Sequence, residues 1–438
     1  MAQRIQGTED LFGGYMRAWQ RMQDVARELF GAYGFDLMET PAIEQVDTFV
    51  HGIGESTDVV RKEMFRVFSG ALMERLLDAG IEDGLKARQR MALRPEGTAG
   101  IVRAAVQNNL VPQGGAPTKL WYAEAMFRGE RPQRGRLRQF HQVGVEWLGA
   151  SDAVADAECI IMLMEYFTRL GFDVARLKLR INSMGDAACR PAYREKVRAF
   201  ILDHKDEMCE DCLERADVNP LRAFDCKVDH DREVMAAAPL VTDNLCGDCR
   251  AHYGQVKRYL EEAGVAYEED PTLVRGLDYY VRTVFEVDAL GTDVGAIGGG
   301  GRYDGLAELE GGKPTPGIGF AVGFERIALA LAAQGGSLET AAPSCVYVAC
   351  AASGQRQAVF SVTLALRQAG IRTEADYQGR SLKSQFKQAD RLGARICAVL
   401  GADEVAAGTV TLRDMRTHEQ VQVPRAELVT QVRERLGA

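Results

Sequence analysis

Five arginines lie close together in a segment broken by glycine and proline, between residues 127 and 138. A guanidinium group is planar, stays protonated and binds phosphate oxygens in pairs, so a cluster of such groups suits a phosphorylated ligand. A single arginine is more often part of a surface ion pair, and the clustering is therefore the informative feature. The members of the cluster are Arg128, Arg131, Arg134, Arg136 and Arg138.

The segment that follows, residues 137 to 148, alternates in character with a period of two, as a β-strand does. One face carries Val143, Val145 and Trp147, and the other carries Gln142, Gly144 and Glu146. At about 3.4 Å per residue, Gln142 and Glu146 are separated by roughly 13 Å, and Gly144 between them leaves space for a small ligand. Arginines beside such a pocket floor predict a site for a nucleotide and a small polar substrate.

Six blocks of the sequence resemble those of one family. The block WYAEAMFRGERPQRGRLRQFHQVGVEW (121–147) resembles motif 2 of class II aminoacyl-tRNA synthetases, in the form that histidyl-tRNA synthetases carry. The order and spacing of the blocks match that family, and together they cover most of residues 1 to 330. The others are GFDLMETPAIE (34–44), similar to motif 1; LRPEGTAG (93–100), similar to an amino-acid-binding block; LVRGLDYYVRTVFE (273–286) and IGGGGRYDGL (297–306), similar to the pair that sets histidine enzymes apart; and TPGIGFAVGFER (315–326), similar to motif 3.

The resemblance implies that L-histidine is a substrate, and it assigns seven residues to the histidine pocket. These are Glu96, Thr98 and Gln142 for the ammonium group, Glu146 and Tyr280 for the two imidazole nitrogens, and Tyr279 and Tyr303 for the remaining pocket wall. The residues by themselves leave other interpretations open. Glu96 and Thr98 precede an apolar helix and could cap it, and Tyr303 could be a packing residue behind a glycine turn.

The resemblance also implies ATP as the second substrate, accompanied by Mg²⁺ whose protein ligands the sequence does not identify. Arg128 and Arg275 are the catalytic candidates at the α-phosphate, while Arg326 would bind the γ-phosphate and Glu130 belongs to the same ATP site. The run Gly298 to Gly301 fits neither the dinucleotide fingerprint nor the P-loop pattern. We predict that it forms a tight turn whose backbone approaches a ligand without a clash.

Two C-x-x-C pairs suggest a structural zinc site as an alternative to free thiols. Cys209 with Cys212 and Cys246 with Cys249 have tetrathiolate spacing, although the pairs are further apart than in a zinc ribbon. Zinc has no part in the catalytic scheme that the resemblance implies. Reduced thiols are therefore the default prediction, with Cys226 as a further candidate ligand, and no catalytic metal site is predicted.

Composition indicates a globular chain that can form two or three domains, because 46% of its 438 residues are hydrophobic and 26% are charged. No apolar run approaches the ~18 residues of a membrane span, and residues 1–12 lack a signal-like segment, so we predict a cytoplasmic location and no membrane partner. The net charge is −9, yet residues 341–438 hold 13 Lys and Arg against 9 Asp and Glu. That excess is compatible with RNA docking and equally with an ordinary solvated surface.

The predicted fold class is α+β: a class II antiparallel sheet flanked by helices in residues 1–333, with a helix-rich insertion at about 187–270. A linker at 334–343 precedes a C-terminal α/β domain at 344–438, where strands and helices alternate; by resemblance it is an anticodon-binding domain. Motif 1 builds a dimer interface in the family, which implies a homodimer. Residues 69–91 form a charged, helical insertion to which we assign no role.

The resemblance thus implies a histidine-tRNA ligase that forms histidyl-adenylate and transfers histidine to the 3′-terminal adenosine of tRNA(His). The alternative is a non-catalytic paralogue that regulates histidine biosynthesis. Relatives of that kind lack the anticodon domain and lose the block around Arg275, whereas this chain has both. A third possibility, an RNA-binding adaptor without chemistry, would tolerate the loss of Glu96, Arg128 and Arg326, and all three are present.

Overall fold

The computed structural model describes residues 2–54, 57–79, 86, 89–111, 115–340, 345–351 and 353–437. The chain divides into two compact units, Met1–Thr340 and Ala341–Ala438. The helices of the first unit are α1 (Gly13–Ala32), α2 (Val46–Ile53), α3 (Gly70–Ala79), α4 (Thr98–Gln107), α5 (Ala153–Leu170), α6 (Arg190–Asp203), α7 (Glu210–Val218), α8 (Asp229–Met235), α9 (Gly247–Glu262), α10 (Leu306–Leu309) and α11 (Phe324–Ala333).

The strands of the first unit form a large sheet and a small one. They are β1 (Asp36–Leu37), β2 (Ile43–Gln45), β3 (Arg66–Val67), β4 (Met91–Leu93), β5 (Thr118–Phe127), β6 (Gln139–Leu148), β7 (Leu177–Ser183), β8 (Glu268–Glu269), β9 (Val281–Ala289), β10 (Ala296–Arg302) and β11 (Gly317–Gly323). The eight-stranded sheet has the order β1-β5-β6-β11-β10-β9-β7-β8, and the three-stranded sheet has the order β2-β4-β3. The six inner strands of the large sheet are antiparallel, and only the short edge strands β1 and β8 pair in parallel.

The alternation predicted for β6 is confirmed. Val143, Val145 and Trp147 lie in the main hydrophobic core, which α1 and α5 cover with Trp19 and Phe30 among others. Helix α1 ends where Gly34 takes a φ of +80°, a conformation that glycine adopts without a steric penalty. The strand therefore has one face fixed by packing and the opposite face turned toward the pocket.

Helices α6 to α9 lie between β7 and β8 and have a hydrophobic core of their own residues joined to the pocket side of the sheet. Met208, Leu221, Met235 and Leu245 are among its buried members. Of the predicted insertion at 69–91, the structure shows α3, and residues 80–85, 87 and 88 lie outside the described part. Residues 341–343 of the predicted linker also lie outside it.

The C-terminal unit contains β12 (Cys345–Cys350), α12 (Arg356–Gln368), β13 (Thr373–Ala375), α13 (Leu382–Arg391), β14 (Ala394–Leu400), α14 (Ala402–Ala407), β15 (Thr409–Asp414), β16 (Gln420–Pro424) and α15 (Leu428–Leu436). Its sheet has the order β13-β12-β14-β15-β16. The first three strands are parallel and the last two pairings are antiparallel. The mixed sheet predicted from alternating strands and helices is confirmed, with α14 as an addition.

Candidate active site

The acidic end of the site is centred on Glu146, in the middle of the large sheet. Its carboxylate is 1% exposed and accepts hydrogen bonds from the Thr98 hydroxyl, at 2.7 Å, and from the Tyr303 hydroxyl. Burial raises the pKa of Glu146 to about 8, although the hydrogen bonds from Tyr303 and Thr98 act in the opposite direction. An acid in this state can exchange its proton for a hydrogen bond from a ligand near neutral pH.

Glu96 lies beside this group at the start of α4. Its carboxylate accepts from the backbone N–H groups of Thr98, at 2.8 Å, and Ala99, at 2.9 Å. The side chain therefore caps the helix, as its position before an apolar helix allowed, but it is buried rather than on the surface. Burial raises the pKa of Glu96, and the two N–H groups partly offset this effect. A second buried carboxyl group thus faces the same small space.

Three tyrosines complete the wall of this space. The ring centroids of Tyr279 and Tyr280 are 4.6 Å apart, and those of Tyr279 and Tyr303 are 5.7 Å apart. All three are at most 7% exposed. The structure therefore brings together six of the seven residues that were assigned to histidine, in a pocket that is nearly dry.

The prediction that Gly144 leaves space for a ligand is wrong. A Cβ atom at Gly144 would lie 2.4 Å from the ring and hydroxyl of Tyr122, so that the tyrosine occupies the space above the glycine. Gly97 makes the same close approach from the opposite side. Tyr122 lies on β5 opposite Gly144, and its hydroxyl is buried without a hydrogen-bond partner in the described part of the chain. It is a pocket residue that our sequence reasoning missed.

The basic end of the site is a cavity of about 330 Å³ that opens beside the other end of β6. Its lining includes Arg128, Glu130, Gln142, Arg275 and Arg326, all predicted from the sequence, together with Arg136, Glu286, Gly298 and Gly299. Gln142, assigned to the ammonium group, therefore lies in the lining of this cavity, at the side that faces the histidine pocket along β6. Its Oε1 atom is buried and has no hydrogen-bond partner among the described residues.

Two of the arginines are held by backbone carbonyl groups. The Nε of Arg128 donates to the Pro95 carbonyl at 2.9 Å, and the guanidinium lies over the Phe140 ring. The Nη1 of Arg326 donates to the Ala296 carbonyl at 2.8 Å. Burial and the neighbouring guanidinium of Arg136 lower the pKa of Arg326. Carbonyl groups orient these side chains without cancelling their charge, which leaves the cavity positive.

Arg275 is the exception, because it forms an ion pair with Glu286 on β9. Glu286 also accepts from Arg180, so one carboxylate joins a structural arginine to a cavity arginine. The guanidinium of Arg275 lies 6.0 Å from the centre of the Tyr280 ring. Arg275 therefore stands between the histidine pocket and the phosphate cavity. Glu286 is a second site residue that the sequence did not reveal, since an acidic residue on a strand carries no distinctive spacing.

The predicted tight turn at Gly298 to Gly301 is wrong, since these residues form the interior of β10 and pair with both β9 and β11. A Cβ atom at Gly300 would lie 2.0 Å from the Gly319 carbonyl, and one at Gly299 would lie 2.9 Å from Arg275. At Gly301 the nearest side chain would be Tyr280, at 2.8 Å. The glycines make a flat strand on which Arg275 and Tyr280 can lie.

The four cysteines proposed as one tetrathiolate site do not meet, which corrects that alternative. Cys209 and Cys212 lie with Cys226 and Asp231, whereas Cys246 and Cys249 lie with Cys189 and Asp186. The two pairs belong to different parts of the inserted helices. His141, by contrast, is a hydrogen-bonding residue as expected, with its Nδ1 2.9 Å from Glu325.

Among the described helices, none has the length and low polarity required to cross a membrane. A family model described as histidyl-tRNA synthetase matches residues 7–327, and a model described as anticodon binding domain matches residues 345–435. The chain is 45% identical to a histidine-tRNA ligase of Anaeromyxobacter sp. (strain K), over 98% of both chains. It is 43% identical to that of Moorella thermoacetica, over 98% of this chain and 97% of the relative.

Among solved structures, an apo histidyl-tRNA synthetase of S. aureus superimposes with a TM-score of 0.79 at 33% identity. The match covers 98% of this chain and 99% of that one. The similarity therefore extends over both units and over the whole candidate site.

Proposed function

The chain belongs to the histidyl-tRNA synthetase family, and from that premise we propose that it activates L-histidine with ATP and attaches it to tRNA(His). The observation that carries this proposal is the position of two chemically different sites on one strand. Glu146 sits in a closed, tyrosine-lined pocket, and Gln142 lines an arginine-rich cavity four residues earlier on β6.

We assign the amino acid to the closed pocket. Glu96, Thr98 and Gln142 would receive the ammonium group, and Glu146 with Tyr280 would bind the two imidazole nitrogens. Tyr279 and Tyr303 exclude water, and Tyr303 additionally orients the Glu146 carboxylate. A pocket of buried polar groups discriminates strongly, because an analogue without the imidazole would leave those groups unpaired.

Activation joins a carboxylate oxygen of histidine to the α-phosphorus of ATP, and the bond from that phosphorus to the bridging oxygen breaks to release pyrophosphate. Negative charge builds up on the non-bridging oxygens as this happens. Arg128 and Arg275 are placed to stabilise that charge, and Arg326 to hold the γ-phosphate. Catalysis of this kind depends on positioning and electrostatics, which side chains held by carbonyl groups and by Glu286 supply.

Mg²⁺ usually binds through one or two carboxylates and the substrate phosphates. Glu130 fits this role because its side chain lines the cavity and is 3.6 Å from its ion-pair partner Arg136. The bound ion would neutralise phosphate charge there. Glu286 is less suitable, since Arg180 and Arg275 already occupy its oxygens.

In the second half-reaction, a hydroxyl of the 3′-terminal adenosine of the tRNA attacks the activated carbonyl and AMP leaves. We assign anticodon recognition to residues 344–438, on the strength of the family match there and the basic excess of that segment. The catalytic domain would be residues 1–333 with its insertion at about 187–270, followed by the linker at 334–343. A homodimer in the cytoplasm completes the proposal, by analogy with the family.

The test is histidine-dependent exchange of labelled pyrophosphate into ATP, with all twenty amino acids tried separately and no tRNA added. Exchange with histidine alone would support the assignment, and charging of tRNA(His) would follow as the second assay. A folded protein that gives no exchange with any amino acid would instead be the regulatory paralogue. The sequence and site argue against that outcome, because Arg128, Arg275 and Arg326 all line one cavity.

A further inference from the structure

Four potential metal ligands meet where the inserted helices leave the large sheet. Asp186 follows β7, Cys189 precedes α6, and Cys246 and Cys249 lie at the start of α9. Their ligand atoms all lie within 4.8 Å of one another. We call this group the sheet-edge cluster. It joins two distant parts of the chain at the base of the insertion.

A second group lies within the inserted helices themselves. Cys209 and Cys212 are at the start of α7, Cys226 follows a short 3₁₀ segment, and Asp231 is in the first turn of α8. Their ligand atoms also lie within 4.8 Å of one another. We call this group the helix cluster. Each cluster thus has three sulfurs and one carboxylate, and each includes one of the two C-x-x-C pairs.

The separations match the edges of a metal tetrahedron. With Zn–S bonds of about 2.3 Å, two sulfurs on one tetrahedral ion are roughly 3.8 Å apart, and a sulfur and a carboxylate oxygen are roughly 3.5 Å apart. The sulfurs of Cys189 and Cys249 are 3.9 Å apart, as are those of Cys209 and Cys226. A disulfide would require about 2.05 Å.

The sulfur-to-oxygen separations agree as well. Cys226 Sγ is 3.5 Å from Asp231 Oδ2, and Cys189 Sγ is 3.7 Å from Asp186 Oδ1. Both carboxylates therefore have an oxygen at the distance of a fourth ligand.

Groups around the ligands are arranged as metal sites require. The backbone N–H of Cys249 points to Cys246 Sγ, and that of Val228 points to Cys226 Sγ, both at 3.5 Å. Arg282 donates to Asp186 Oδ2 at 3.1 Å, which leaves Oδ1 facing the sulfurs. Such outer contacts orient the ligand atoms and stabilise thiolate charge.

We propose that each cluster binds one structural zinc ion, so that the chain carries two. Three thiolates with one carboxylate favour zinc over the harder cations Mg²⁺ and Ca²⁺. Four protein ligands leave no open position for a substrate, which is the arrangement of a structural ion rather than a catalytic one.

The two ions have different consequences. In the sheet-edge cluster, Asp186 holds Arg282, whose φ of +50° lies in the left-handed region and whose backbone bonds to Met184 and Gly185. Arg282 is two residues after Tyr280. The ion at this cluster therefore fixes the chain that carries Tyr280 into the histidine pocket. The helix cluster makes no comparable contact among the bonds of the described residues, so its ion stabilises only the insertion.

The primary experiment is metal analysis by mass spectrometry of the full-length chain, purified with a thiol reductant and without chelators. Two zinc ions per chain are expected. Fewer than two, with the ten cysteines still reduced by thiol titration, would overturn the proposal. Replacement of zinc by Co²⁺ should give thiolate charge-transfer bands that correspond to two tetrahedral sites, and their absence would also overturn it.

Variants then assign the ions. Cys209→Ser/Cys212→Ser and Cys246→Ser/Cys249→Ser should each reduce the zinc content from two to one, and Cys159→Ala, a buried cysteine outside both clusters, should leave it at two. Complete loss of zinc in either double variant would indicate one shared site and contradict the two-site arrangement. If a variant does not fold, the wild-type zinc and cobalt measurements still decide the question.

A kinetic readout tests the difference between the clusters, and this part alone rests on the proposed function. The KM for histidine in pyrophosphate exchange should rise at least several-fold in the Cys246→Ser/Cys249→Ser variant and stay unchanged in the Cys209→Ser/Cys212→Ser variant. Equal effects would overturn the link to Tyr280. Absence of exchange in the wild type would contradict the proposed function while leaving the zinc content as an independent result.

Discussion

The two ends of β6 handle polarity in opposite ways. Around Glu146 the polar groups are buried and bond to one another, as in the hydrogen bond from the Thr98 hydroxyl. Around Gln142 the arginines bond mainly to backbone carbonyl groups, as Arg128 does to Pro95 and Arg326 does to Ala296. The first arrangement suits recognition of a small neutral ring, and the second suits neutralisation of a polyanion.

The difference teaches how one strand can serve two ligands. A dry pocket selects through hydrogen bonds that only the right partner satisfies, since each unpaired buried group costs about 1–3 kcal/mol. An arginine-lined cavity selects by charge and tolerates variation in the ligand. Arg275 belongs to both regions, because it pairs with Glu286 in the cavity and lies beside the Tyr280 ring. Changes at Arg275 should therefore break the comparison most severely.

We expect Arg275→Ala to lower the rate of adenylate formation by roughly 10²–10³-fold, the usual cost of removing one preorganised donor to transition-state charge. Binding of ATP and histidine should change little, because other residues hold both ground states. Single-turnover formation of adenylate, with equilibrium binding of each substrate, measures the two effects separately. Arg275→Lys should recover part of the rate, since it keeps the charge and loses the planar fork. Equal losses in rate and binding would instead make Arg275 a structural partner of Glu286.

A matched pair of variants would sharpen the contrast between the two ends. Glu146→Gln should raise the KM for histidine by about 10–100-fold, since hydrogen bonds to a charged group contribute roughly 1.5–3 kcal/mol, and should leave the KM for ATP unchanged. Glu130→Gln should do the reverse, raising the KM for ATP. Pyrophosphate exchange at varied concentrations of each substrate provides both values. If either variant shifted both KM values equally, the two ends would not be separate sites.

The close contact of Gly144 with Tyr122 predicts a smaller effect on the pocket end alone. A Cβ atom in Gly144→Ala would lie 2.4 Å from the tyrosine ring and 2.8 Å from the Phe320 carbonyl. Overpacking of this kind costs about 1–3 kcal/mol. Urea denaturation should show that loss, with a raised KM for histidine.

Gly31→Ala is the control for Gly144→Ala, because Gly31 lies in α1 and a Cβ atom added there would have no neighbour within 4 Å outside its own helix among the described residues. This variant should be as stable as the wild type or slightly more so. A stable Gly144→Ala variant with unchanged kinetics would mean that Tyr122 moves freely and does not shape the pocket.

How much of this could be predicted from the sequence depended on where the controlling contacts come from. The alternation of β6 and the helical spacing of α1 are local, and both were predicted. The run Gly298 to Gly301 was taken for a turn because the atoms that require glycine there belong to other strands, such as the Gly319 carbonyl on β11.

The same reason explains the two residues of the site that were missed. Tyr122 enters the pocket through its cross-strand position opposite Gly144, and Glu286 through its pairing with Arg275. The cysteine pairs show the strongest form of this limit. Cys246 meets Cys189 and Asp186 only because the chain returns to the end of β7, which spacing does not encode.

The titration of Glu146 gives the subtlest test of the dry pocket. Thr98, Tyr303, Tyr122 and Glu96 surround its carboxyl group, and burial raises its pKa from 4.5 to about 8. Between those two values the folded protein holds a proton that the unfolded chain has released, so stability falls as pH rises through this window. A single group of this kind contributes a slope of about 1.4 kcal/mol per pH unit.

Glu146→Gln removes this titration while it keeps an amide oxygen for Thr98, and the difference between the two proteins isolates Glu146 from other groups. Calorimetry at intervals from pH 5 to pH 8.5 should show the melting temperature of the wild type falling relative to that of Glu146→Gln as pH rises. The gap should stop widening above about pH 8, where both states of Glu146 are ionised. Parallel melting curves would mean that Glu146 is ionised throughout, and that water reaches the pocket in the empty enzyme. The contrast between a dry and a wet end of β6 would then hold only after histidine binds.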